Sequence, residues 1–339
     1  MRKTVNWGVL GAASIAVQRT LPALLNAPSA KVLALASRDP EKGRAVATQF
    51  DIPRVYEHYQ DVLDDPDIDA VYVPLPNQLH FEWSLRALEA GKHVLCEKPL
   101  CLSADQVGQL CAARDRSGCH IEEGFAYRNH AQWAAMEGPE IREAIGDVRS
   151  LHITLAKQFL DPADIRNNPQ AGGGALYDLG SYAISVCNLM FKRAPDRVVA
   201  ALDIDPAFGI DRLSSALLDY GTCQATLTVA TQGGPNGWGT HQQMSVLGAT
   251  GWLNLDFPCA HARPTPCHIA IGDASSVGSF ATQVLEFAPA NQYELQVERF
   301  SRKLLGDAVA SWPIEDALDT LRTVEALFAS SKTGGWVTL

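Results

Sequence analysis

What most constrains this chain is the rhythm of roughly its first 120 residues, where short, continuously apolar runs alternate with amphipathic stretches. TVNWGVLG precedes a helical pattern reaching Leu25, KVLALAS precedes a second reaching Phe50, and DAVYVPLP precedes HFEWSLRALEAG, which Gly91 closes. KHVLCEKP and SADQVGQLCAARDRSG, capped by Ser103 and ended by Gly118, complete the series. A strand that is apolar on both faces must be covered on both faces, and alternating helices supply that cover. The expectation is a parallel sheet of the dinucleotide-binding type.

After about residue 123 the texture changes to longer alternating segments such as VRSLHITLAKQFL, SSALLDYGTCQATLTVAT and QQMSVLGATGWLNLDF, which read as antiparallel strands. Gly-Ala-Thr-Gly at 248–251 and Tyr220-Gly221 are turn signals, and two helical patterns, YELQVERFSRKLLG and IEDALDTLRTVEALFASSK, close the chain. The reading is an α/β chain of two domains: an N-terminal Rossmann dinucleotide-binding domain over 1–123 and an α+β domain over 124–339. The second is built on an open, mainly antiparallel sheet.

Composition narrows the function. The 339 residues are 47% hydrophobic and 19% charged, ordinary for a globular protein, and a formal charge of -10 gives no broad attraction for a polyanion. A nucleic-acid partner is not expected. No apolar run approaches the roughly 20 residues that span a bilayer, so no membrane helix is expected. The opening MRKTVNWGVLGAASIA imitates a signal peptide, but Asn6 breaks its apolar stretch and the segment reads better as a first strand and turn. The eight cysteines form no C-x-x-C pair and read as reduced, structural thiols of a cytoplasmic protein, with no metal site. No H-E-x-x-H string supports a metal-dependent hydrolase.

Directly after the first strand come Gly11, Ala12, Ala13, Ser14, Ile15 and Ala16, which match G-x-G-x-x-G/A if alanine replaces the middle glycine. A tight turn there delivers a helix N-terminus, whose N–H groups and dipole hold a pyrophosphate. At the end of the second strand, where NAD-binding chains commonly place a carboxylate for the ribose 2′-OH, stand Ser37 and Arg38. A hydroxyl and a guanidinium suit a 2′-phosphate. Asp39, followed by Pro40, reads as a helix N-cap, and Lys42 adds a second positive charge. NADP is therefore preferred over NAD.

Three further strings, PLPNQLH (74–80), KHVLCEKP (92–99) and AGGGALYDLGSYAI (171–184), resemble the glucose-fructose oxidoreductase, inositol dehydrogenase and rhizopine catabolism family, Gfo/Idh/MocA. The resemblance runs from WGVLGAASIA through ALASRDPEK to NQYELQVERF, nearly the whole chain. Tyr182 points to the branch of dimeric dihydrodiol dehydrogenase, NADP-dependent xylose dehydrogenase and glucose-fructose oxidoreductase.

The resemblance implies an NADP-dependent oxidoreductase acting on a sugar or related cyclic alcohol or diol, with an N-terminal cofactor domain and a C-terminal domain for substrate and oligomerisation. Glu97-Lys98-Pro99 matches the E-K-P motif, which makes Lys98 the catalytic lysine. Asp178 follows G-G-G, and Tyr182 stands where other members often have histidine. On a helix, positions 178 and 182 face one side.

Hydride transfer at a carbinol carbon also moves a proton on its oxygen, and an ammonium beside a phenol favours phenolate. Tyr182 is expected as general acid/base and Lys98 as the cation polarising the substrate oxygen, or the two in reversed roles. Asp178 is expected to bind substrate hydroxyls or to orient Lys98.

Pro74, Leu75, Asn77 and His80 resemble the segment under the cofactor ribose and nicotinamide, Glu97 and Lys98 contribute to the same cofactor site, Arg166 matches an arginine on the nicotinamide side, and Tyr293 matches a residue reaching back to the cofactor. Tyr127 and Arg128 resemble the interdomain hinge. GGPNGWGTH, with Asn236, Trp238 and His241, reads either as a substrate loop or as a plain strand connection. The resemblance also implies a homodimer or homotetramer through the C-terminal sheet. A non-catalytic dinucleotide sensor on the same fold is the alternative, and the retention of Lys98, Asp178 and Tyr182 speaks against it.

Overall fold

The first third of the chain folds as strand and helix in alternation. It runs β1 (Val5–Leu10), α1 (Leu21–Asn26), β2 (Ala30–Ala36), α2 (Pro40–Gln49), β3 (Arg54–Tyr56), α3 (Tyr59–Asp64), β4 (Ala70–Val73), α4 (Asn77–Glu89), β5 (His93–Cys96), α5 (Ala104–Ser117) and β6 (Ile121–Glu123). The computed structural model describes residues 4–233, 240–259, 266–273, 275 and 280–339. The six strands form one parallel sheet in the order β3-β2-β1-β4-β5-β6. The order reverses beside β1, and in such a sheet ligands collect at the carboxyl ends of the strands flanking that reversal. Sequence periodicity does not mark β3 and α3. They are short, and β3 is a three-residue edge strand.

The remaining elements are α6 (Ala131–Met136), α7 (Pro139–Ile145), β7 (Val148–Lys157), α8 (Ser181–Phe191), β8 (Arg197–Ile204), β9 (Asp211–Asp219), β10 (Gln224–Ala230), β11 (Thr240–Gly248), β12 (Trp252–Asp256), β13 (Cys267–Gly272), β14 (Gln283–Phe287), α9 (Gln292–Leu304), α10 (Glu315–Thr333) and β15 (Val337–Thr338). Nine of these strands form a second sheet, ordered β14-β13-β12-β11-β7-β10-β9-β8-β15. Its pairs are antiparallel except β7 with β10, which run parallel from Gln224 beside Ser150 to Ala230 beside Ala156. The hairpin expected at 248–251 joins β11 to β12, where the Gly248 N–H donates to the Gly251 carbonyl at 2.8 Å.

The chain divides into two compact units. One is the chain up to Ala126 with Asn291–Ala317, the other is Tyr127–Ala290 with Leu318–Leu339. This differs from the contiguous division at 123/124, because α9 belongs with the parallel sheet. The reason is burial: Trp7 of β1 is fully buried, its indole Nε1 donates to Ser301 Oγ at 3.1 Å, and its ring lies 5.2 Å from that of Phe300. Tyr293, Val297 and Phe300 share one core cluster with Val9, Leu21, Leu24 and Leu35. A buried ion pair adds to this tie, since Arg299 on α9 donates to both carboxylate oxygens of the fully buried Glu122 on β6.

In the second unit Leu151, Ile153 and Leu155 of β7 point into a core with α8, while the opposite face carries an exposed row of hydroxyls and an imidazole. His152 bonds Thr226 at 2.7 Å and Thr154 at 3.2 Å, and Ser215 bonds Thr228 at 3.3 Å. All eight cysteines are free, six of them buried. Among the described residues no helix is long and apolar enough to cross a membrane.

Candidate active site

The turn after β1 is built for close approach. Gly11 has φ +112, a left-handed backbone that L side chains rarely adopt, and a Cβ there would sit 3.0 Å from Leu75 Cδ2. Its N–H donates to the Ala36 carbonyl at 2.8 Å, which fixes the turn to the end of β2. Ala12 is buried, Ala13 and Ile15 half-buried and Ser14 exposed, and helical structure begins at Ser14 and continues through a π turn at Ala16–Thr20 into α1. Small residues leading into exposed first-turn amides are the cradle a pyrophosphate requires.

At the end of β2, Ser37 is buried, with its hydroxyl oxygen 3.3 Å from the Asp39 N–H, while Arg38 and Lys42 are exposed. Asp39 is the N-cap of α2: its Oδ1 accepts from the N–H groups of Glu41 at 3.1 Å and Lys42 at 3.0 Å. The carboxylate is thus engaged by the helix it caps, as its position before Pro40 suggested. Gly43 in the next turn lets α2 approach, since a Cβ there would lie 2.9 Å from that of Ser37.

Beyond β4 and β5 the expected residues gather. Pro74 and Leu75 are buried after β4, and Asn77 opens α4. His80, fully buried one turn later, joins two loops: Nδ1 lies 2.7 Å from the Pro99 carbonyl oxygen and Nε2 2.6 Å from that of Leu75. Burial pushes this imidazole down to about 4, the two carbonyls oppose the shift, and the charge of Lys98 adds to it. A neutral ring donates through one nitrogen only. The residue thus donates to one of these carbonyls and packs closely on the other, between the segments at 75 and 99, besides being the helix-start residue its position suggested. The Lys98-Pro99 peptide is cis.

Glu97 shows a partner that sequence inspection missed. The Tyr72 hydroxyl donates to Glu97 Oε1 at 2.7 Å and accepts from Thr20 Oγ1 at 2.9 Å. Burial, then the Glu97 charge, hold the Tyr72 phenol well above its ordinary range, so it stays a donor. Tyr293, in the first turn of α9, is buried beside the same carboxylate, and burial followed by the Glu97 charge raises its pKa also.

The second unit holds the other group. The Arg166 guanidinium donates through Nε to Asp178 Oδ2 at 2.9 Å and through Nη1 to Asp164 Oδ1 at 3.3 Å, and its Cζ lies 4.3 Å from the Phe159 ring centroid. Burial disfavours its charged form, but the two carboxylates outweigh burial and raise its pKa. Two glycines make this possible: a Cβ on Gly173 would lie 2.4 Å from the Arg166 carbonyl oxygen, and the Gly174 N–H donates to that oxygen at 2.9 Å. Asp178 stands in a π turn at Leu176–Gly180 that runs into α8, which carries Tyr182. Four residues are close to one turn in either helix geometry, so both side chains leave the same side.

The half-buried Tyr182 ring lies 6.0 Å from that of Tyr127, and Tyr127 and Arg128 both bond Ser185 Oγ, at 2.8 and 2.7 Å. His241 is exposed on β11; Asn236 and Trp238 lie outside the described residues.

Residues 5–125 match an oxidoreductase family with an NAD-binding Rossmann fold, and residues 142–254 match the GFO/IDH/MocA C-terminal domain. An uncharacterized oxidoreductase of Rhizobium meliloti is 41% identical over 339 residues, 99% of each chain. The chain belongs to the Gfo/Idh/MocA oxidoreductases.

Within that family it is similar to the D-xylose 1-dehydrogenase (NADP(+)) 2 of Haloferax volcanii, 32% identical over 98% of this chain and 99% of the other. Among solved structures, KijD10, a 3-ketoreductase from Actinomadura kijaniata in complex with NADP and TDP-benzene, superposes with a TM-score of 0.85 at 30% identity. That match covers 96% of this chain and 98% of the other. The branch expected from Tyr182 is thus the one its relatives occupy. For a Gfo/Idh/MocA chain, the residues that pattern reading missed are those acting behind the motif: Tyr72 behind Glu97, and Asp164 and Phe159 around Arg166. A tyrosine in an apolar strand carries no signal of what its hydroxyl will meet.

Proposed function

We propose that this chain is an NADP-dependent oxidoreductase that transfers a hydride between nicotinamide and a sugar or a related cyclic alcohol or diol. The observation that carries the cofactor choice is Asp39. Its carboxylate is turned into α2 as an N-cap, which leaves the Ser37 hydroxyl, the Arg38 guanidinium and the Lys42 ammonium at the end of β2. Positive charge with no competing ribose acceptor suits a 2′-phosphate. The xylose dehydrogenase and KijD10, both named with NADP, support the same choice and a sugar-like substrate.

The turn at Gly11–Ile15 would hold the pyrophosphate, and Pro74, Leu75, Asn77, His80, Glu97, Lys98, Arg166 and Tyr293 are assigned to the ribose and nicotinamide portions. Bound NADP supplies or accepts the hydride. Lys98 polarises the substrate oxygen and Tyr182 exchanges its proton, while Asp178, held by Arg166, accepts from substrate hydroxyls. The parallel-sheet unit, the chain up to Ala126 with Asn291–Ala317, serves as the cofactor domain, and Tyr127–Ala290 with Leu318–Leu339 as the domain for substrate and self-association.

Lys98→Met tests the chemistry: turnover lost with NADPH binding retained is expected, and unchanged turnover removes Lys98 from the reaction. Arg38→Ala tests the cofactor grip. Losing a charge-assisted bond of about 1.5 to 3 kcal/mol weakens NADP on the order of 10- to 100-fold while NAD is unaffected.

The protein acts as a homodimer or homotetramer through the open face of the nine-stranded sheet, where Thr226, Thr228 and Ser215 present a flat row of short polar side chains. Light scattering on Thr228→Arg should return a monomer where the parent returns an oligomer. Eight free thiols accord with a cytoplasmic location.

A further inference from the structure

We propose that Asp211 is a positioning residue whose buried carboxylate anchors the amino end of the helical segment carrying Asp178 and Tyr182. The inference rests on the roles proposed for those two side chains. Asp211 opens β9, thirty-odd residues further along the chain, and is 3% exposed. Its Oδ2 accepts from the Leu176 N–H at 2.8 Å and from the Ser214 hydroxyl at 2.7 Å. The first amides of a helix lack intrahelical partners, and no side chain at the cap position Ala175 supplies one. The acceptor comes instead from a strand distant in sequence.

The backbone is shaped to admit it. Gly174 has φ +111, and a Cβ at that position would lie 2.0 Å from Asp211 Oδ1, so the carboxylate fills the space that any other residue would occupy. The third glycine of the G-G-G run thus serves Asp211 as well as the turn. Two residues beyond the anchored amide is Asp178, and six beyond it is Tyr182. A shift of the helix start moves both side chains together.

Burial raises the Asp211 carboxyl to about 6, opposed by its bonds to Ser214 and to the Leu176 amide. The titratable group facing it from the helical segment is Tyr177, whose own pKa is raised by burial, by Glu325 on α10 and by Asp211. The adjacent Arg212 is turned to Asp203 and Asp205. Protonation of Asp211 weakens the anchor, so turnover falls as pH drops through about 6.

The test uses full-length Asp211→Asn and Ser214→Ala, with kcat, KM and amide exchange followed against pH. In Asp211→Asn, kcat drops on the order of 10²-fold with NADPH affinity retained, the limb near pH 6 disappears, and the amides of residues 175–182 exchange faster. Ser214→Ala removes a donor from the carboxylate and moves the limb to higher pH. Parental kcat and exchange in Asp211→Asn, or an unmoved limb in Ser214→Ala, overturns the inference. If Asp211→Asn does not fold, Ser214→Ala decides. Should the parent protein turn over no sugar or ketone with NADPH, the proposed function fails by itself. Exchange at 175–182 then still decides for or against the anchor.

Discussion

Asp39 accepts from two amides of α2, Asp178 from a guanidinium, and Asp211 from an amide and a hydroxyl, so three side chains of one kind do three jobs set by their neighbours. Stability responds accordingly. The Asp211 pKa is raised from 3.8 to about 6, meaning that the folded state holds this proton more tightly than the unfolded chain. Its stabilising contribution is present below the unfolded value and is lost as pH rises through about 6. Measured against Asp211→Asn by urea unfolding, the parent should therefore lose relative stability from about pH 4 to about pH 7, by about 3 kcal/mol.

Activity is expected to move oppositely across that range, which separates positioning from acid unfolding. Tyr72→Phe is a second expectation at this scale: removing the hydroxyl takes one hydrogen-bond partner from each of Thr20 and Glu97, for a loss of about 1 to 2 kcal/mol in the same assay. Asp39 as a cap was legible, because Asp-Pro before a helical pattern has a local cause. The bond from Tyr72 to Glu97 was not legible, because it joins β4 to the segment after β5 and neither stretch of sequence records the other.

At the scale of elements, local patterning accounts for β1 to α5 because each strand and helix there is bounded by its own turns and caps. The Ser103 cap and the left-handed Gly118 that close α5 at its two ends are where the sequence placed them. The parallel pairing of β7 with β10 had no such local record. Alternation tells which face of a strand is buried and nothing about the direction of its neighbour. The π turn at Leu176–Gly180 was equally hidden, since the groups that meet its start, Asp211 at the Leu176 amide and the neighbours crowding Gly173 and Gly174, leave no local mark in the sequence. Gly174→Ala should lose about 2 kcal/mol or more in a denaturation curve, from backbone strain and the collision with Asp211. Its kcat should fall with that of Asp211→Asn, and the double variant should be no worse in kcat than the poorer single one.

At the scale of the whole molecule, the parallel-sheet unit depends on residues from the far end of the chain. Glu122 is fully buried and is met by Arg299, by the imidazole of His120 at 2.7 Å and by the Trp312 amide at 3.4 Å. Arg299→Leu strands that carboxylate without its guanidinium and should cost about 3 to 5 kcal/mol, read as a lower urea midpoint. The interleaving has a further consequence during biosynthesis. Trp7 is made long before Phe300 and Ser301, which cover it and leave the ribosome only after the whole stretch from Tyr127 to Ala290 has been translated. At elongation rates of about 5 to 20 residues per second that is a delay on the order of ten to thirty seconds. Through that interval the nascent cofactor unit carries an uncovered indole and an incomplete apolar cluster, which makes a fragment ending at Ala126 a poor choice for expression.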